Sequence, residues 1–374
     1  MRRGITAEID LDAALNNLDA VRKAVKGLPV IAVVKADAYG HGAAELARLY
    51  EDAEVHALAV AFVSEAEELR ASGIKAPMLV LFDNTEPDKY IELGLTPVIH
   101  DLKAARAFSQ VAEKSGRPLD VHLKVDTGMG RVGLTNERDF VEVLNIKGLN
   151  VIGLMSHFSD ADLTDADFID VQLGRFKEFK ALSRKKKLSP LCHMANSAAS
   201  LAYPEAHMDA VRPGLALYGV SPFEEGGPFS TSLRPIMTAK ARIVTIRKLA
   251  AGQPVSYGRT FITARPTLAA VIAAGYADGL GRMLSNNADV LIKGKRAPVM
   301  GRVCMDIVMA DVTEAGNVSE EDEAVLLGRG GDEEITAWEL AGRASTFPNE
   351  ILLYLGRNAR RVYSRIPLPG EHQV

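Results

Sequence analysis

The sequence predicts an α/β protein in two parts, an N-terminal (β/α)8 barrel over residues 1–228 and a C-terminal mainly β domain over residues 229–374. Three observations lead there. About eight short apolar runs, continuous rather than alternating, are mostly followed by segments of helical periodicity, as in a parallel sheet whose outer face is covered by helices. The 374 residues suit about two domains of the usual roughly 100–200 residues. Beyond Glu225-Gly226-Gly227-Pro228, strand-like runs follow one another with little helix between them.

The elements follow in order. Leu11, Leu15, Leu18, Val21 and Val25 recur three or four residues apart and predict an opening helix. Strands are expected over 30–34, 57–62, 78–82, 96–100, 121–125, 151–156, 191–194 and about 209–212, with helical segments such as 43–50, 65–71, 102–114 and 168–188 between them. The turn Tyr39-Gly40-His41-Gly42 lacks the G-x-G-x-x-G fingerprint of an open dinucleotide-binding sheet, which favours closing the sheet into a barrel. In the second part, strands are expected over 241–246, 268–274, 290–292 and 307–312. A last helix runs from Trp338 towards Tyr354 with a break near Pro348.

Lys and Arg number 44 against 48 Asp and Glu, a formal charge of −4, so no diffuse basic field points to nucleic acid or an acidic membrane surface. Small molecules are the expected partners. The run Arg184-Lys185-Lys186-Lys187 reads as a solvated helix end. Two cysteines, Cys192 and Cys304, are too few for a disulfide framework and carry no metal-ligand spacing, so a reducing cytoplasm is expected and no metal. Neither a signal-peptide core after Met1-Arg2-Arg3-Gly4 nor a run of ~20 apolar residues is found.

A (β/α)8 barrel carries its chemistry at the C-terminal ends of its strands. Those positions hold Lys35, Asp37, Tyr39 and His41, then Asp126, Thr127 and Arg131, then Ser156 and His157, Asn196 and Ser197, and finally Arg212 and Gly214. Lys35 ends the wholly apolar run Val30-Ile31-Ala32-Val33-Val34, where a low-dielectric setting lowers an ammonium's pKa and frees an amine for imine formation. Ser197 and Gly214 lie where this fold holds phosphate. An imine-forming lysine and a phosphate cradle on one rim suggest pyridoxal phosphate, with Arg212 facing the pyridine nitrogen. His41, His56, His100, His122 and His193 read as structural or solvent-facing, Glu65, Glu67 and Glu68 as a carboxylate run on a helix, Cys304 as a packed thiol lining a pocket and Trp338 as core.

The run Val33-Val34-Lys35-Ala36-Asp37-Ala38-Tyr39-Gly40-His41-Gly42 resembles the cofactor-lysine signature of alanine racemases. Lys124-Val125-Asp126-Thr127-Gly128-Met129-Gly130-Arg131, Ser156-His157-Phe158, Val211-Arg212-Pro213-Gly214, Val255-Ser256-Tyr257-Gly258-Arg259, Gly275-Tyr276-Ala277-Asp278-Gly279 and Val303-Cys304-Met305-Asp306 resemble that family in the same order. The resemblance implies that Lys35 holds pyridoxal phosphate and removes the α-proton of D-alanine, while Tyr257, from the other subunit of a homodimer, serves L-alanine. It implies Tyr39, Ser197, Gly214 and Leu215 at the phosphate, His157 by the ring and Arg212 at its nitrogen. Arg131 and Met305 would position the substrate carboxylate, Lys124 would be carbamylated to pair with Arg131, and Tyr276 would border the entryway. The implied role is supplying D-alanine for bacterial cell-wall peptidoglycan.

Two positions depart from the family pattern: Ile307 replaces a glutamine, and Pro348-Asn349-Glu350 replaces Pro-Tyr-Glu, which removes a hydroxyl from the phosphate site unless Tyr354 supplies it. The chemistry is consistent with the borrowed roles, because inverting a stereocentre by proton transfer needs a base on each face. An arginine at the ring nitrogen weakens the electron sink and so disfavours side reactions. The rival readings are a pyridoxal-phosphate decarboxylase on a related barrel, which would carry a carboxylate in place of Arg212, and a non-catalytic cofactor carrier, which would lack the second part and Tyr257.

Overall fold

A computed structural model of the chain describes residues 4–162, 167–224 and 233–365. Seven strands, β2 (Ile31–Val33), β3 (Ala57–Val60), β4 (Met78–Val80), β5 (Thr96–Ile99), β6 (Leu119–Lys124), β7 (Leu149–Met155) and β8 (Leu191–His193), pair in parallel in chain order. All residues of β2, β3 and β4 are buried, which is why these strands read as unbroken apolar runs. The eighth expected strand is not a regular element. Residues 209–212 nevertheless fill the gap, with Asp209 N donating to Cys192 O at 2.9 Å on one side and Ile31 N donating to Val211 O at 2.8 Å on the other. A parallel bridge between Val30 and Val211 completes the closure, giving the barrel the sequence predicts.

The helix Leu11–Ala24 forms as expected, capped by the Asp10 carboxylate, which accepts from Ala13 N at 2.9 Å. The segment before it corrects the sequence reading. β1 (Thr6–Asp10), assigned above to the barrel part, lies in the other sheet, antiparallel to β9 (Met237–Leu249) and parallel to the strand Arg360–Ser364. Its alternation, with Ala7 and Ile9 buried, is the period of a half-buried strand. The 13-residue β9 is the hub of this mainly β part, pairing also with Glu323–Gly330 and Thr267–Ile272. The expected final helix is two helices, Ala337–Ala344 and Pro348–Arg357, with Pro348 opening the second. The Glu225-Gly226-Gly227-Pro228 loop, and with it the expected boundary at 228, lies outside the described residues. Among the described residues no helix is long and apolar enough to cross a membrane.

Asn17 ties the first helix to the segment leading into β9. Fully buried, its side chain donates to Arg234 O and accepts from Arg234 N, both at 2.8 Å. Asn17→Ala strands both backbone groups and should cost about 1–3 kcal/mol, read as a lower urea midpoint at unchanged slope. A loss below about 0.5 kcal/mol would refute this account of the junction.

Candidate active site

A cavity of about 280 Å3 opens at the C-terminal ends of the barrel strands, lined by Lys35, Tyr39, Lys124, Arg131, His157, Ser197, Arg212, Gly214 and Leu215 among others. Of the strand-end residues singled out in the sequence, Asp37, His41, Asp126, Thr127 and Ser156 do not line it, while the others converge. Tyr257 and Met305 do not line it; they stand on the other domain's surface, 70% and 53% exposed. Tyr276 is also exposed.

Lys35 follows β2 directly and begins an unusual turn. Ala36, Asp37, Ala38 and Tyr39 all have φ between 52° and 55°, one turn of left-handed helix with no glycine in it. Each such residue costs about 1–2 kcal/mol, so the conformation has to be held from outside. The Glu65 carboxylate accepts from Ala36 N at 2.6 Å. Asp37 accepts from Ala43 N at 2.8 Å and is ion-paired with Arg361, whose Nε donates to Gly40 O at 3.0 Å. The Tyr363 hydroxyl donates to His41 O at 3.1 Å. Burial, the Arg131 charge and the Arg212 charge pull the Lys35 ammonium below its ordinary pKa, with Glu65 opposing them.

At one end of the cavity, Ser197 Oγ accepts from Gly214 N at 2.9 Å and Ala216 N at 3.1 Å. A Cβ on Gly214 would lie 2.5 Å from the Tyr39 hydroxyl, so the missing side chain is what lets that phenol into the cradle. Tyr39 packs on Tyr218 at 4.7 Å, and burial raises its phenol to about 12.

The floor is a chain of rings fixed by Arg212. Its Nη1 donates to His193 Nδ1 at 2.7 Å, and its Nη2 reaches Ser156 O at 2.7 Å and His157 Nδ1 at 3.3 Å. Because arginine only donates, His193 Nδ1 must accept, which leaves Nε2 protonated to donate to His122 Nδ1 at 2.7 Å. Gly153 on β7 makes room, since a Cβ there would meet the His122 ring. Burial and then the Arg212 charge hold His157 and His122 well below the ordinary range, His122 at about 3, so both rings are neutral at physiological pH. His122 and His193, read from sequence as structural or solvent-facing, do not line the cavity; they are buried behind Arg212 and hold it in place.

Opposite, Lys35 Nζ, Lys124 Nζ and Arg131 Cζ stand 5.6, 5.0 and 5.4 Å from the Phe82 ring centroid. Burial, Arg212 and Arg131 bring Lys124 down to about 7. The nearby Asp126 is engaged by its own loop: burial alone would raise it, but the amides of Gly128, Gly130 and Arg131 hold it below the usual carboxylate range.

Residues 9–222 match the family described as alanine racemase, N-terminal domain, and residues 236–363 its C-terminal domain. The chain belongs to the alanine racemase family. It is 43% identical to the alanine racemase of Thermodesulfovibrio yellowstonii over 97% of this chain and 98% of that one. With the alanine racemase of Carboxydothermus hydrogenoformans it shares 41% identity over 96% and 100% of the two chains. Among solved structures, the alanine racemase of the D-cycloserine producer Streptomyces lavendulae superposes with a TM-score of 0.91 at 36% identity, covering all of both chains. The Bartonella henselae alanine racemase, solved with covalently bound pyridoxal phosphate, gives 0.87 at 28% identity over 97% of this chain and all of that one. As an alanine racemase family member the protein is an isomerase.

The structure also revises two readings within this racemase, those of Glu65 and Trp338, and answers a third point that the sequence left open. Glu65, taken for part of a carboxylate run on a helix, binds the turn that carries Lys35. Trp338, taken for core, borders the cavity and donates to Ser221 O at 2.9 Å. Tyr354 does not take over the missing hydroxyl: 45% exposed and bonded to Glu350, it is absent from the cavity wall, which Asn349 joins instead. Cys304 is half-buried beside Ser256 Oγ at 3.5 Å and does not line the barrel cavity.

Lys124 should be charged below about pH 7 and neutral above it, against an ordinary lysine at 10.5. NMR titration of the 13C-methylated lysines of the ligand-free protein, assigned with Lys124→Arg, checks this. A midpoint near 10 would refute it.

Proposed function

We propose that this racemase interconverts L-alanine and D-alanine with pyridoxal 5'-phosphate held by Lys35, in a homodimer whose sites are shared between subunits. The observation that carries the reading is the cavity itself, whose wall brings together a lysine amine held below its ordinary pKa, first by burial and then by Arg131, and the Ser197–Gly214 pair with its hydroxyl and amide. The residues fit the cofactor. Ser197 Oγ, which accepts from the amides of Gly214 and Ala216 and so has its O–H left to donate to an anion, lines the cavity together with Tyr39, Gly214, Leu215 and Arg212. When bound, pyridoxal phosphate supplies the conjugated system that stabilises negative charge at the substrate α-carbon.

The chain's own residues do the rest. Arg212, hydrogen-bonded on both sides and still cationic at neutral pH, can offer the ring nitrogen a donor and no acceptor, which limits how far charge is drawn from the α-carbon. His157 flanks it as a neutral ring. Lys35 takes or returns the α-proton on the D face. Tyr257 of the partner subunit does so on the L face, a role its 70% exposure on this chain supports because the phenol is free to enter another copy's cavity. Arg131 with the partner subunit's Met305 holds the substrate carboxylate. Lys124, neutral from about pH 7 upward, takes up carbon dioxide as a carbamate and so becomes an anionic partner for Arg131. Its free cysteines suit a reducing cytoplasm, where D-alanine would feed cell-wall peptidoglycan synthesis.

Protein incubated with pyridoxal phosphate and L-alanine in heavy water should yield α-deuterated D-alanine, and Tyr257→Phe should lower that rate by about 10²–10⁴-fold. Absence of D-alanine from the native protein would overturn the reading. Sharing of sites has its own test: Lys35→Ala and Tyr257→Phe, each inactive alone, should recover about a quarter of native activity when unfolded and refolded together, because a mixed dimer holds one intact site. No recovery would mean that both bases come from one chain.

A further inference from the structure

Glu65 starts from an ordinary position, the third residue of the helix Val63–Ala71. A glutamate there usually reaches back to the amide of the residue before the helix, and its Oε2 does so, accepting from Phe62 N at 3.2 Å. The remaining contacts leave the helix. Oε2 also accepts from Ala61 N at 2.6 Å, just beyond the end of β3, and Oε1 accepts from Ala36 N at 2.6 Å, the first amide after Lys35. One carboxylate therefore joins the end of the neighbouring barrel strand to the peptide unit from which the lysine side chain springs.

The turn's own backbone bonds, Ala38 N to Val34 O at 2.9 Å and Gly40 N to Ala36 O at 3.1 Å, run along it, while the Ala36 amide is taken by Glu65. Ala36 is exposed, and from it the chain enters the left-handed turn whose far side is fixed by the Asp37–Arg361 pair and by Arg361 Nε on Gly40 O. With the Ala36 amide released, the near side of a strained turn keeps β2 and the bond from Ala38 N to Val34 O but loses the contact next to Lys35, so the Cα–Cβ direction of Lys35 is less tightly set. Glu65 is also the acidic group that offsets Arg131 and Arg212 in the field at the lysine amine.

We propose that Glu65 is a positioning residue for Lys35, aiming the lysine amine at the substrate α-carbon by holding the Ala36 amide. The proposal rests on the reading of Lys35 as the base for the D face. Its consequence is one-sided, since a misaimed lysine impairs proton transfer on that face only, whereas the opposite face is served by Tyr257 of the partner subunit. Small displacements at a reacting centre have large effects, since about 1 Å can cost 10²-fold in rate.

The test uses the holoenzyme of Glu65→Gln with L-alanine in heavy water. Glutamine keeps the size but removes the charge and turns an NH2 donor towards one of the amides. The α-hydrogen should then be washed out of the remaining L-alanine faster than D-alanine appears, so that the initial ratio of deuterated L-alanine to D-alanine rises by at least about 5-fold, with the KM for L-alanine within about 2-fold of native. Glu67→Gln on the same helix, which loses only the surface pair with Lys89, should leave the ratio unchanged. If Glu65→Gln does not load the cofactor, Glu65→Asp, which shortens the reach to Ala36 but keeps the charge, gives the same reading. A ratio that stays at the native value, whether or not both rates fall together, would overturn the proposal by showing that Glu65 serves stability alone. A native enzyme that neither exchanges nor inverts would instead overturn the proposed function itself.

Discussion

Everything in the site hangs on the left-handed turn that follows Lys35. Four consecutive non-glycine residues with φ near 53° are several kcal/mol above their relaxed conformation, and no sequence adopts that unaided. The anchors come from three directions. Glu65 reaches in from the next βα unit of the barrel, the Asp37 carboxylate caps the following helix at Ala43 N, and Arg361 and Tyr363 arrive from the last strand of the chain. These last two residues share a face because side chains alternate along a strand. Their strand is set by parallel pairing with β1, the first. The first and last described strands therefore meet in one sheet, and that sheet steadies the barrel loop on which the lysine sits. The parts are not independent modules.

The second constraint is electrostatic. Lys35, Lys124, Arg131 and Arg212 line one cavity, while the neighbouring carboxylate of Asp126 is engaged by its own backbone. Burial first, and then repulsion from the neighbouring arginines, is the physical reason that both lysines lie below their ordinary range and shed protons more readily. Arg212 cannot relieve the field in that way at neutral pH, so it is satisfied by carbonyls and by imidazoles held in the accepting tautomer. With Asp162 as the one carboxylate on the wall, among the described residues, beside these four basic groups, such a cavity favours the entry of further negative charge. On the proposed reading that charge is the cofactor phosphate, the substrate carboxylate and the carbamate on Lys124.

How much of this could be read in the sequence follows from the same physics. Strands buried on both faces announce themselves as apolar runs, and the barrel was legible for that reason. Five-residue β1 alternates too briefly to stand out beside the strong helical pattern after it. The cavity residues were legible because polar groups at the ends of apolar strands are costly unless used. Phe82 was not, since an aromatic that ends an apolar run looks like core until cations are seen around it. Nor was the left-handed turn, because Lys35-Ala36-Asp37-Ala38-Tyr39 contains no glycine to betray positive φ. Glu65 shows the deeper limit: a carboxylate at the third position of a helix reads the same whether its second oxygen faces water or a neighbouring loop.

The two proposed bases are held in opposite ways, and the contrast explains why such an enzyme would be built as a dimer. Lys35 must stay within bonding reach of its cofactor and aim at one atom, so it is mounted on a strained, multiply anchored turn. Tyr257 follows Ser256, itself at positive φ, in a short exposed segment steadied by the Ser256 hydroxyl on Arg302 O at 2.7 Å. Within one chain the phenol stands on the surface, away from the barrel mouth. Bringing both groups into one barrel would crowd a second base into a cavity already filled with positive charge and would leave no open face for substrate. On the proposed reading, supplying the second base from another copy would let association close the cavity around the substrate, exclude water from it and set the two proton-transfer groups on opposite sides of the same carbon.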